Sequence, residues 1–524
     1  MTSRAWTLVA VVLASGIVFL DSTVVNVALE RMGRELPSTL VGRYEGQSYV
    51  TNGYLLTLSA LLILAGSLAD TFGRRRLFLI GLAGFGVASV ACGLAPSMEV
   101  LVLARLVQGA FGALLVPTSL ALITAAFSGP ERGRAFGVWA AASSATTLVG
   151  PLVGGFLVDT VSWRVAFLMN APLVVAGLVI GGRFIAESRD PDARRLDWVG
   201  AFVVAVAVGG LSFGLTRGQE RSWADALAWA SLGAGIVATV ALVPLMRMRR
   251  DPLVPPSLFA SRNFTVTNVS TLLVYGALYV QLFIQAIFLQ GTLGYSALAA
   301  GLAGLPTFLL LTLFSTSIGA WAGRAGPRWF MAVGPAVMAL GLAWYLRLPV
   351  ESAAWPAALT EPGTLLPPPG YLVDVLPANL LFGIGIALLV APLTTALMSS
   401  IPERNAGLAS AINNAVSRIG PLVAGALIFV AVTGTFYGVV GDRVPGTDVT
   451  DPAVRRTLTP LNPPGPGATA EEAAAARIGS VEAFRVAMLL AALLCVAGAA
   501  VNAAGIRNPR DEGSRLHAGD ESLG

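Results

Sequence analysis

The sequence predicts an all-α polytopic membrane protein with fourteen transmembrane helices, arranged as two six-helix halves with two helices inserted between them. Three observations support this fold class. Hydrophobic residues make up 55% of the 524 residues and charged residues 12%, whereas an average soluble domain carries about 25% charged residues. The apolar residues form runs of about 20, the length that a helix needs to cross a hydrocarbon core about 30 Å thick. Loop motifs of the first half recur in the second.

The predicted spans follow one another along the whole chain. The fourteen apolar runs cover residues 6–28, 47–69, 77–95, 99–126, 135–158, 164–184, 197–215, 226–246, 264–290, 297–322, 329–347, 372–400, 405–434 and 482–505. A secretory signal peptide is the alternative for the first run. No A-x-A-like cleavage site closes that run, so we assign it to helix 1.

Arginines predict the orientation of the chain in the membrane. An even number of spans places both termini on one side of the membrane. The arginine-rich loops, such as those of Arg74–Arg76 and Arg324, are alternate loops along the chain and so lie on one side as well. Because positively charged loops stay on the inner side, we predict that both termini are cytoplasmic. Segments 348–371 and 435–481 are then external loops. Their composition predicts flexible chain, with a short helix over 469–479.

A weak internal repeat indicates duplicated halves. Gly66, Asp70 and Gly73 recur in spacing as Gly319, Gly323 and Gly326, and Gly150-Pro151 recurs as Gly420-Pro421. Chance is the alternative for a repeat built largely of glycine and proline, but the matched parity of the loops favours duplication, a recurring design of transporters. We therefore predict an N-terminal half over 1–190, an inserted two-helix linker over 191–262, a C-terminal half over 263–507 and a cytoplasmic tail over 508–524.

Composition excludes several kinds of chemistry. All 34 basic residues are arginine, so the chain has neither a phosphate-binding GxxxxGK[ST] loop nor a lysine for a Schiff base. The one histidine is His517, and the two cysteines, Cys92 and Cys495, lie far apart in apolar runs. We therefore predict no catalytic centre, no metal site and no cofactor. The net charge of +5 arises from arginines in short loops, which we interpret as topology signals and not as a nucleic-acid surface.

Four motifs resemble those of the major facilitator superfamily, in particular its fourteen-helix drug:proton antiporter group of the multidrug efflux type. They are Leu20-Asp21-x-Thr23-Val24-Val25-Asn26-Val27-Ala28-Leu29 in helix 1, Gly66-x-Leu68-Ala69-Asp70-x-x-Gly73-Arg74-Arg75 in the loop between helices 2 and 3, Leu103-Ala104-Arg105-x-x-Gln108-Gly109 in helix 4, and Gly150-Pro151-x-x-Gly154-Gly155 in helix 5. The resemblance implies a major facilitator fold. It also implies export driven by a proton gradient, without a cofactor.

The chain departs from the group's pattern at three places. Glu30 stands where the helix 1 signature usually ends in proline, and Tyr49 stands where a tryptophan is common. In the second half, Gly323 occupies the position of Asp70.

Asp21 and Arg105 are the predicted proton-coupling residues. Counted along helices of opposite direction, both lie about 10 Å below the outer surface. An unpaired charge inside the membrane costs at least about 2.5–3.5 kcal/mol, so each should face the other or a wet cavity. One interpretation is a structural ion pair that fixes helix packing. The other is that Asp21 takes up a proton and thereby loosens its hold on Arg105.

A second group of polar residues is predicted to line a substrate cavity. Gln281 and Gln285 lie one turn apart near Tyr275, as in a cavity wall, although hydrogen bonding between helices would place them there too. Arg418 is interpreted as holding a substrate anion or, alternatively, as capping a polar run. The full predicted set is Asn26, Gln108, Tyr275, Gln281, Gln285, Asn413, Asn414 and Arg418.

Two backbone elements are predicted to control conformation. The first, which we name the cytoplasmic latch, comprises Gly66, Asp70, Gly73, Arg74 and Arg75. A carboxylate there is stabilised by arginines and by an exposed helix N-terminus. The second is a helix 5 gate, in which proline removes a backbone donor and small residues allow close approach; a static kink is the alternative. The gate consists of Gly150, Pro151, Gly154 and Gly155.

The leading functional hypothesis is a proton-coupled exporter of amphipathic small molecules that works by alternating access. A dedicated exporter of one endogenous metabolite, siderophore or lipid is the alternative within transport, and a non-transporting receptor or scaffold is the alternative outside it. The expected partners are the substrate, protons and the lipid bilayer, with the protein acting as a monomer. We expect it in the plasma (inner) membrane of a bacterium, and the absence of lysine indicates a GC-rich genome.

Overall fold

The computed structural model describes residues 3–38, 43–127, 161–189, 197–220, 223–249, 252–358, 361–401 and 406–508, together with scattered residues between 131 and 160. These residues are overwhelmingly helical, and the only β-type pairing found among them is an isolated bridge between Ala358 and Glu361. The all-α fold class is therefore confirmed.

The helices follow the predicted spans closely. In chain order they are α1 Ser3–Glu35, α2 Arg43–Phe72, α3 Arg74–Gly93, α4 Met98–Ala126, α5 Val165–Leu168, α6 Asn170–Phe184, α7 Trp198–Glu220, α8 Ala226–Met248, α9 Arg262–Gly291, α10 Ala297–Ala325, α11 Arg328–Trp344, α12 Leu376–Ser399, α13 Ala406–Arg443, α14 Pro452–Thr457 and α15 Ala470–Gly505. Within the ranges given above, thirteen helical segments are long and apolar enough to cross a membrane. The predicted fifth span, 135–158, falls where only scattered residues are described.

Three helices are longer than the hydrophobic runs indicate. Helix α1 continues beyond residue 28 to Glu35, and its last turn carries an ion pair between Arg31 Nε and Glu35 Oε1 at 2.7 Å. Charged residues spaced i, i+4 support a helix as readily as apolar ones do. Helix α13 likewise runs on to Arg443, so it enters the predicted external loop.

Helix α15 begins at Ala470, which joins the predicted short helix over 469–479 to the last span. A capping box starts it: the Thr469 hydroxyl accepts a bond from Glu472 N, and the Glu472 carboxylate accepts one from Thr469 N. The segment between α13 and α15 packs against these two helices. Leu458 and Leu461 are buried, and Tyr437 Oη donates to Leu458 O at 3.0 Å. The loop is thus shorter and more ordered than its composition predicted.

The chain forms two compact units. The first comprises Met1–Ala260 with Ile401–Ile419, and the second comprises Ser261–Ser400 with Gly420–Gly524. In the first unit, α4 packs along α2 and α3, and α1 packs against α4 and α6. The inserted pair α7 and α8 forms a hairpin whose α7 lies against α2. The predicted domain limits at 190, 262 and 507 stay a prediction.

Close helix approach in the first unit depends on glycine. A side chain at Gly109 of α4 would overlap the backbone oxygen of Tyr54 in α2. Thr57 of α2 uses this proximity, because its hydroxyl donates to Leu106 O at 2.8 Å. Gly109 therefore fixes the depth at which α4 lies against α2, and hence the position of the polar residues of α4.

The second unit has an aromatic core. Helix α15 packs against α9 and α11, and α12 packs against α10 and α11. Phe288 and Phe484 stack with ring centroids 4.0 Å apart, and Tyr345 meets Phe484 edge-on at 5.3 Å. Offset and edge-to-face aromatic pairs add to the stabilisation that apolar burial provides.

Corresponding turns of the two units share an unusual conformation. Gly73, between α2 and α3, has φ +109°, and Gly326, between α10 and α11, has φ +90°. In each unit a Cβ at this glycine would collide with a side chain that follows the last helix of the half, Glu187 or Asn508. This agrees with the predicted repeat of Gly73 as Gly326.

Replacing Gly326 should destabilise the protein. Gly326→Ala places a Cβ in a backbone region that is essentially restricted to glycine and against Asn508, at a cost of about 1–3 kcal/mol. The matched control is Gly323→Ala, one turn earlier in α10, where nothing lies within 4 Å of the new Cβ. Thermal unfolding in detergent should show a lower Tm for Gly326→Ala alone; equal values would contradict the assigned turn.

Candidate functional site

A buried ion pair lies at the centre of the first unit. Asp21 of α1 and Arg105 of α4 are 0% and 1% exposed, and Arg105 Nη1 donates to Asp21 Oδ2. The guanidinium also donates through Nε to Val50 O at 3.0 Å. It lies over the ring of Tyr54 at 4.1 Å. The structure thus brings together the two residues that were predicted to carry proton coupling.

Amide side chains complete the coordination of the Asp21 carboxylate. Gln108 Nε2 and Asn170 Nδ2 each donate to Asp21 Oδ1 at 3.0 Å. Asn170 Nδ2 also donates to Ser89 Oγ at 3.0 Å. The Oε1 atom of Gln108 accepts from Arg105 at 2.8 Å and from the Cys92 thiol at 3.5 Å. We call Asp21, Arg105, Gln108, Asn170, Ser89 and Cys92 the Asp21 network.

Helical spacing explains how these residues converge. Arg105 and Gln108 are three residues apart on α4, and so are Ser89 and Cys92 on α3, so each pair shares one helix face. Asn170 is the first residue of α6. Helices α4 and α6 supply the N–H donors to the carboxylate of α1, and α3 supplies the hydroxyl and the thiol that bond to Asn170 and Gln108. A buried charge tolerates removal from water only when such partners are present.

Apolar residues fill the unit on one side of the network. Val25, Ala28 and Met32 follow Asp21 along α1, and none of them is exposed. They form one cluster with Met98, Leu101, Trp163 and Phe167, among others. In this conformation, hydrophobic packing therefore separates Asp21 from the C-terminal end of α1.

A group of polar residues lies beyond this apolar cluster. We call Arg31, Glu35, Trp163 and Arg164 the clasp. Glu35 pairs with Arg31, and its Oε2 accepts from Trp163 Nε1 at 2.9 Å. Arg164 Nη1 donates to Gly93 O and Ala95 O, both at 2.9 Å. The clasp thus joins the end of α1 to the turn before α5 and the loop after α3. The hydrogen bond from Arg31 holds the pKa of Glu35 below its usual value, and the bond from Trp163 acts in the same direction, against the effect of burial.

Sequence reasoning missed several members of this site. Asn170 and Ser89 were passed over because single polar residues in apolar spans carry no motif. Glu35 was missed because helix 1 was ended at residue 28. The signal that could have found Asn170 is a lone amide near the start of an otherwise apolar sixth span.

The predicted cavity residues of the first unit do not lie in one group. Gln108 is fully buried and belongs to the Asp21 network. The side chain of Asn26 lies outside the described residues. Asn413, Asn414 and Arg418 are half-buried on α13, where Asn414 Nδ2 donates to Ser410 O at 3.0 Å. Arg418 Nε is buried with no hydrogen-bond partner found in the ranges that the structure covers.

In the second unit the two glutamines bond to each other, and Gln285 also bonds to a neighbouring helix. Gln281 donates to Gln285, and Gln285 Nε2 donates to Asn379 Oδ1 of α12 at 3.3 Å. Tyr345 Oη donates to the same Asn379 oxygen at 3.1 Å. Both glutamines are buried, whereas Tyr275 is half-buried on α9. This geometry favours the alternative of helix–helix hydrogen bonding over a cavity wall.

The latch region holds a carboxylate that was not expected there. Arg75 N and Arg76 N donate to the two oxygens of Glu187 at 3.1 and 3.2 Å, and Arg74 N donates to Ser188 O at 3.0 Å. Arg75 Nη2 also donates to Gly182 O. The N-terminus of α3 therefore binds the segment that follows α6. The side chain of Asp70, the predicted carboxylate, lies outside the described residues, and Gly66 packs near Pro117 of α4.

The gate glycines face helix α1. A Cβ at Gly150 would overlap Thr23, and one at Gly154 would come within 2.9 Å of Val24. Pro151 and Gly155 lie outside the described residues. The two described positions thus show close approach of two helices, which both the gate and the static-kink interpretations require. Within the described ranges, no three histidine, cysteine, aspartate or glutamate side chains lie together as a metal site requires.

Comparison with known proteins identifies the family. Residues 11–425 match the sequence model of the Major Facilitator Superfamily. The chain belongs to this superfamily. It is therefore a multi-pass membrane transporter and not an enzyme.

Several relatives are resistance proteins. The chain is 34% identical over 447 residues to the puromycin resistance protein pur8 of Streptomyces alboniger, with 84% of each chain covered. It is 34% identical over 423 residues to the multidrug resistance protein Stp of Mycobacterium tuberculosis, with 80% of this chain and 74% of Stp covered. The methylenomycin A resistance protein of Bacillus subtilis is 31% identical over 447 residues, with 84% and 91% covered.

A solved structure supports the fold alone. It is that of a bacterial homologue of the human drug peptide transporters PepT1 and PepT2, with a TM-score of 0.60 and 12% identity. The alignment covers 96% of this chain and 98% of that chain.

The contact of Glu187 with α3 should contribute measurably to stability. Glu187→Gln removes the negative charge from the helix N-terminus, where a carboxylate is worth about 0.3–1 kcal/mol. Glu131→Gln is the control, because Glu131 pairs with Arg4 at 3.7 Å on the exposed surface, where such pairs contribute little. Chemical unfolding at low salt should show the loss for Glu187→Gln only. A loss of the same size in both variants would contradict the capping role.

The clasp predicts a specific dependence of stability on pH. Because the folded pKa of Glu35 is lowered, its stabilisation is complete above the usual glutamate pKa of 4.5 and is lost as pH falls through the folded pKa. The Tm difference between wild type and Glu35→Gln should be constant near neutrality and shrink below pH 4.5. Glu351→Gln, at an exposed site of the second unit, should show no such trend. A constant difference down to the lowest pH would refute this assignment.

Proposed function

We propose that this transporter is a proton-coupled antiporter that exports amphipathic small molecules, including drugs, by alternating access. The observation that carries the proposal is the buried Asp21–Arg105 pair, a titratable contact inside the membrane-spanning part of the first unit. The resistance functions named for pur8, Stp and the methylenomycin A protein support the direction of transport.

The proposed coupling step is the protonation of Asp21. In the described conformation the ionised carboxylate accepts bonds from Arg105, Gln108 and Asn170. A proton on Asp21 removes the charge that holds Arg105, which then needs another partner. A change in helix packing that exposes Arg105 to water or to substrate meets that need. Proton binding therefore favours one conformation over the other by a differential interaction.

The energy available from one proton is sufficient. A proton that crosses a potential of about 150 mV supplies roughly 3.5 kcal/mol, which sustains a concentration ratio of a few hundred. No cofactor is needed. We further propose that the protein acts as a monomer in the plasma membrane with both termini in the cytoplasm, as its arginine distribution predicts.

A dedicated exporter is the second candidate. Two of the relatives described above are named for resistance to a single compound, puromycin or methylenomycin A, whereas Stp is named for multidrug resistance. A panel of chemically unrelated toxins separates these candidates, because a dedicated exporter protects cells against one chemical class only.

Efflux of a fluorescent lipophilic cation from proteoliposomes with an imposed proton gradient tests the proposal. Asp21→Asn should abolish the dependence on the pH difference, so that the gradient-driven accumulation ratio falls to about one. The control is Asp197→Asn. Asp197 is also buried, but its carboxylate accepts a hydrogen bond from Gly200 N at the start of α7. Gradient-driven efflux that persists in folded Asp21→Asn would rule out Asp21 as the coupling residue.

A further inference from the structure

Asn170 holds the buried acceptor of the Asp21 network that lacks a donor. Its Nδ2 uses both hydrogens, one on Asp21 Oδ1 and one on Ser89 Oγ. Its Oδ1 is buried and has no hydrogen-bond partner within the described ranges. An unsatisfied buried acceptor is costly, so its retention calls for a reason.

The two protonation states of Asp21 require opposite partners. An ionised carboxylate only accepts hydrogen bonds, whereas a protonated carboxyl group also donates one. The carboxylate is surrounded by donors from Arg105, Gln108 and Asn170. Gln108 Oε1 is already engaged by Arg105 and Cys92. Asn170 Oδ1 is therefore the acceptor that remains for a proton on Asp21.

An amide can present its acceptor by rotating. A half-turn about the Cβ–Cγ bond of Asn170 exchanges Oδ1 with Nδ2 and places the oxygen against Asp21. Ser89 Oγ accepts from Asn170 Nδ2 in the first orientation, and in the second its own hydrogen, which it donates to Phe167 O at 2.9 Å, turns to Asn170 Oδ1. The exchange alters neither the volume nor the shape of the side chain.

We infer that Asn170 is a positioning residue for Asp21, donating to the ionised carboxylate and accepting from the protonated one, and that it thereby sets the proton affinity of that group. The inference rests on the proposed function, in which Asp21 takes up and releases a proton. Among the described residues, the charged or titratable side chains around Asp21 are Arg105 of α4, which pairs with it, Tyr54 of α2, whose ring lies against Arg105, and Cys92 of α3, whose thiol donates to Gln108. None of these contacts needs to change when Asn170 rotates.

The chain provides a matched control in its second unit. Asn502 of α15 is as fully buried as Asn170, and its Nδ2 also makes two hydrogen bonds, to Ser270 Oγ at 2.8 Å and to Met331 O at 2.7 Å. Its Oδ1 likewise has no partner in the described part of the chain. The difference is that neither partner of Asn502 is ionisable.

Infrared titration of purified protein in liposomes tests the inference. The band of a protonated carboxyl group that is absent from Asp21→Asn reports Asp21 directly. In Asn170→Leu the midpoint of this band should rise by about one pH unit, because charge-assisted hydrogen bonds are roughly twice as strong as neutral ones. The band should also move to the frequency of a carboxylic acid without an acceptor. Asn502→Leu should leave midpoint and frequency unchanged.

Two further arms keep the outcomes separate. Asn170→Ser keeps one donor and acceptor in a smaller side chain, so it should give an intermediate midpoint and replaces Asn170→Leu if that variant does not fold. Equal midpoints in wild type and the Asn170 variants overturn the inference, as does the absence of any Asp21 band between pH 4 and 9. Efflux from the same liposomes decides the proposed function independently: gradient-driven efflux that survives in Asp21→Asn refutes the coupling role, whatever the titration shows.

Discussion

The buried attraction between Asp21 and Arg105 is the interaction on which the first unit depends. Neither charge has access to water, so each can remain ionised only while the other is present and the remaining hydrogen-bond positions are filled. This requirement determines the surrounding residues. Gln108, Asn170 and the backbone oxygen of Val50 are placed to meet it, and Gly109 lets α4 approach α2 closely enough for Arg105 to reach them.

The two units solve similar packing problems with different polar groups. In each, a glycine with positive φ precedes the third helix, and a side chain from beyond the last helix of the half meets it: Glu187 in the first unit and Asn508 in the second. At the level of the buried networks, the first unit uses a charged pair. The second uses the neutral group of Gln281, Gln285 and Asn379. Of these two networks, that of the first unit alone contains an ionisable pair.

Much of this architecture is predictable from sequence because it depends on local pattern. Runs of about 20 apolar residues give the helices, and opposite charges at matched depth give Asp21 and Arg105 as partners. The glycine spacing around Gly73 anticipated the repeated turn at Gly326. The family resemblance agrees with the superfamily that the comparisons establish.

The missed features depend on contacts between residues far apart in the chain. Glu187 is separated from Arg75 by more than a hundred residues, and no pattern in the sequence connects them. Asn170 is a single amide whose importance arises only from the carboxylate that it meets. The extensions of α1 and α15 were missed because hydropathy marks where a helix enters the membrane, whereas capping and side-chain pairs decide where it ends.

The length of α15 has a practical consequence. Its 36 residues form a rod of about 54 Å, and a hydrocarbon core of about 30 Å covers little more than half of it. The remaining turns extend beyond a core of that thickness, and a capping box starts them. An antibody fragment raised against these turns, or a helical fusion built through them, would add ordered mass outside the membrane. That mass would help to align the particles in electron microscopy.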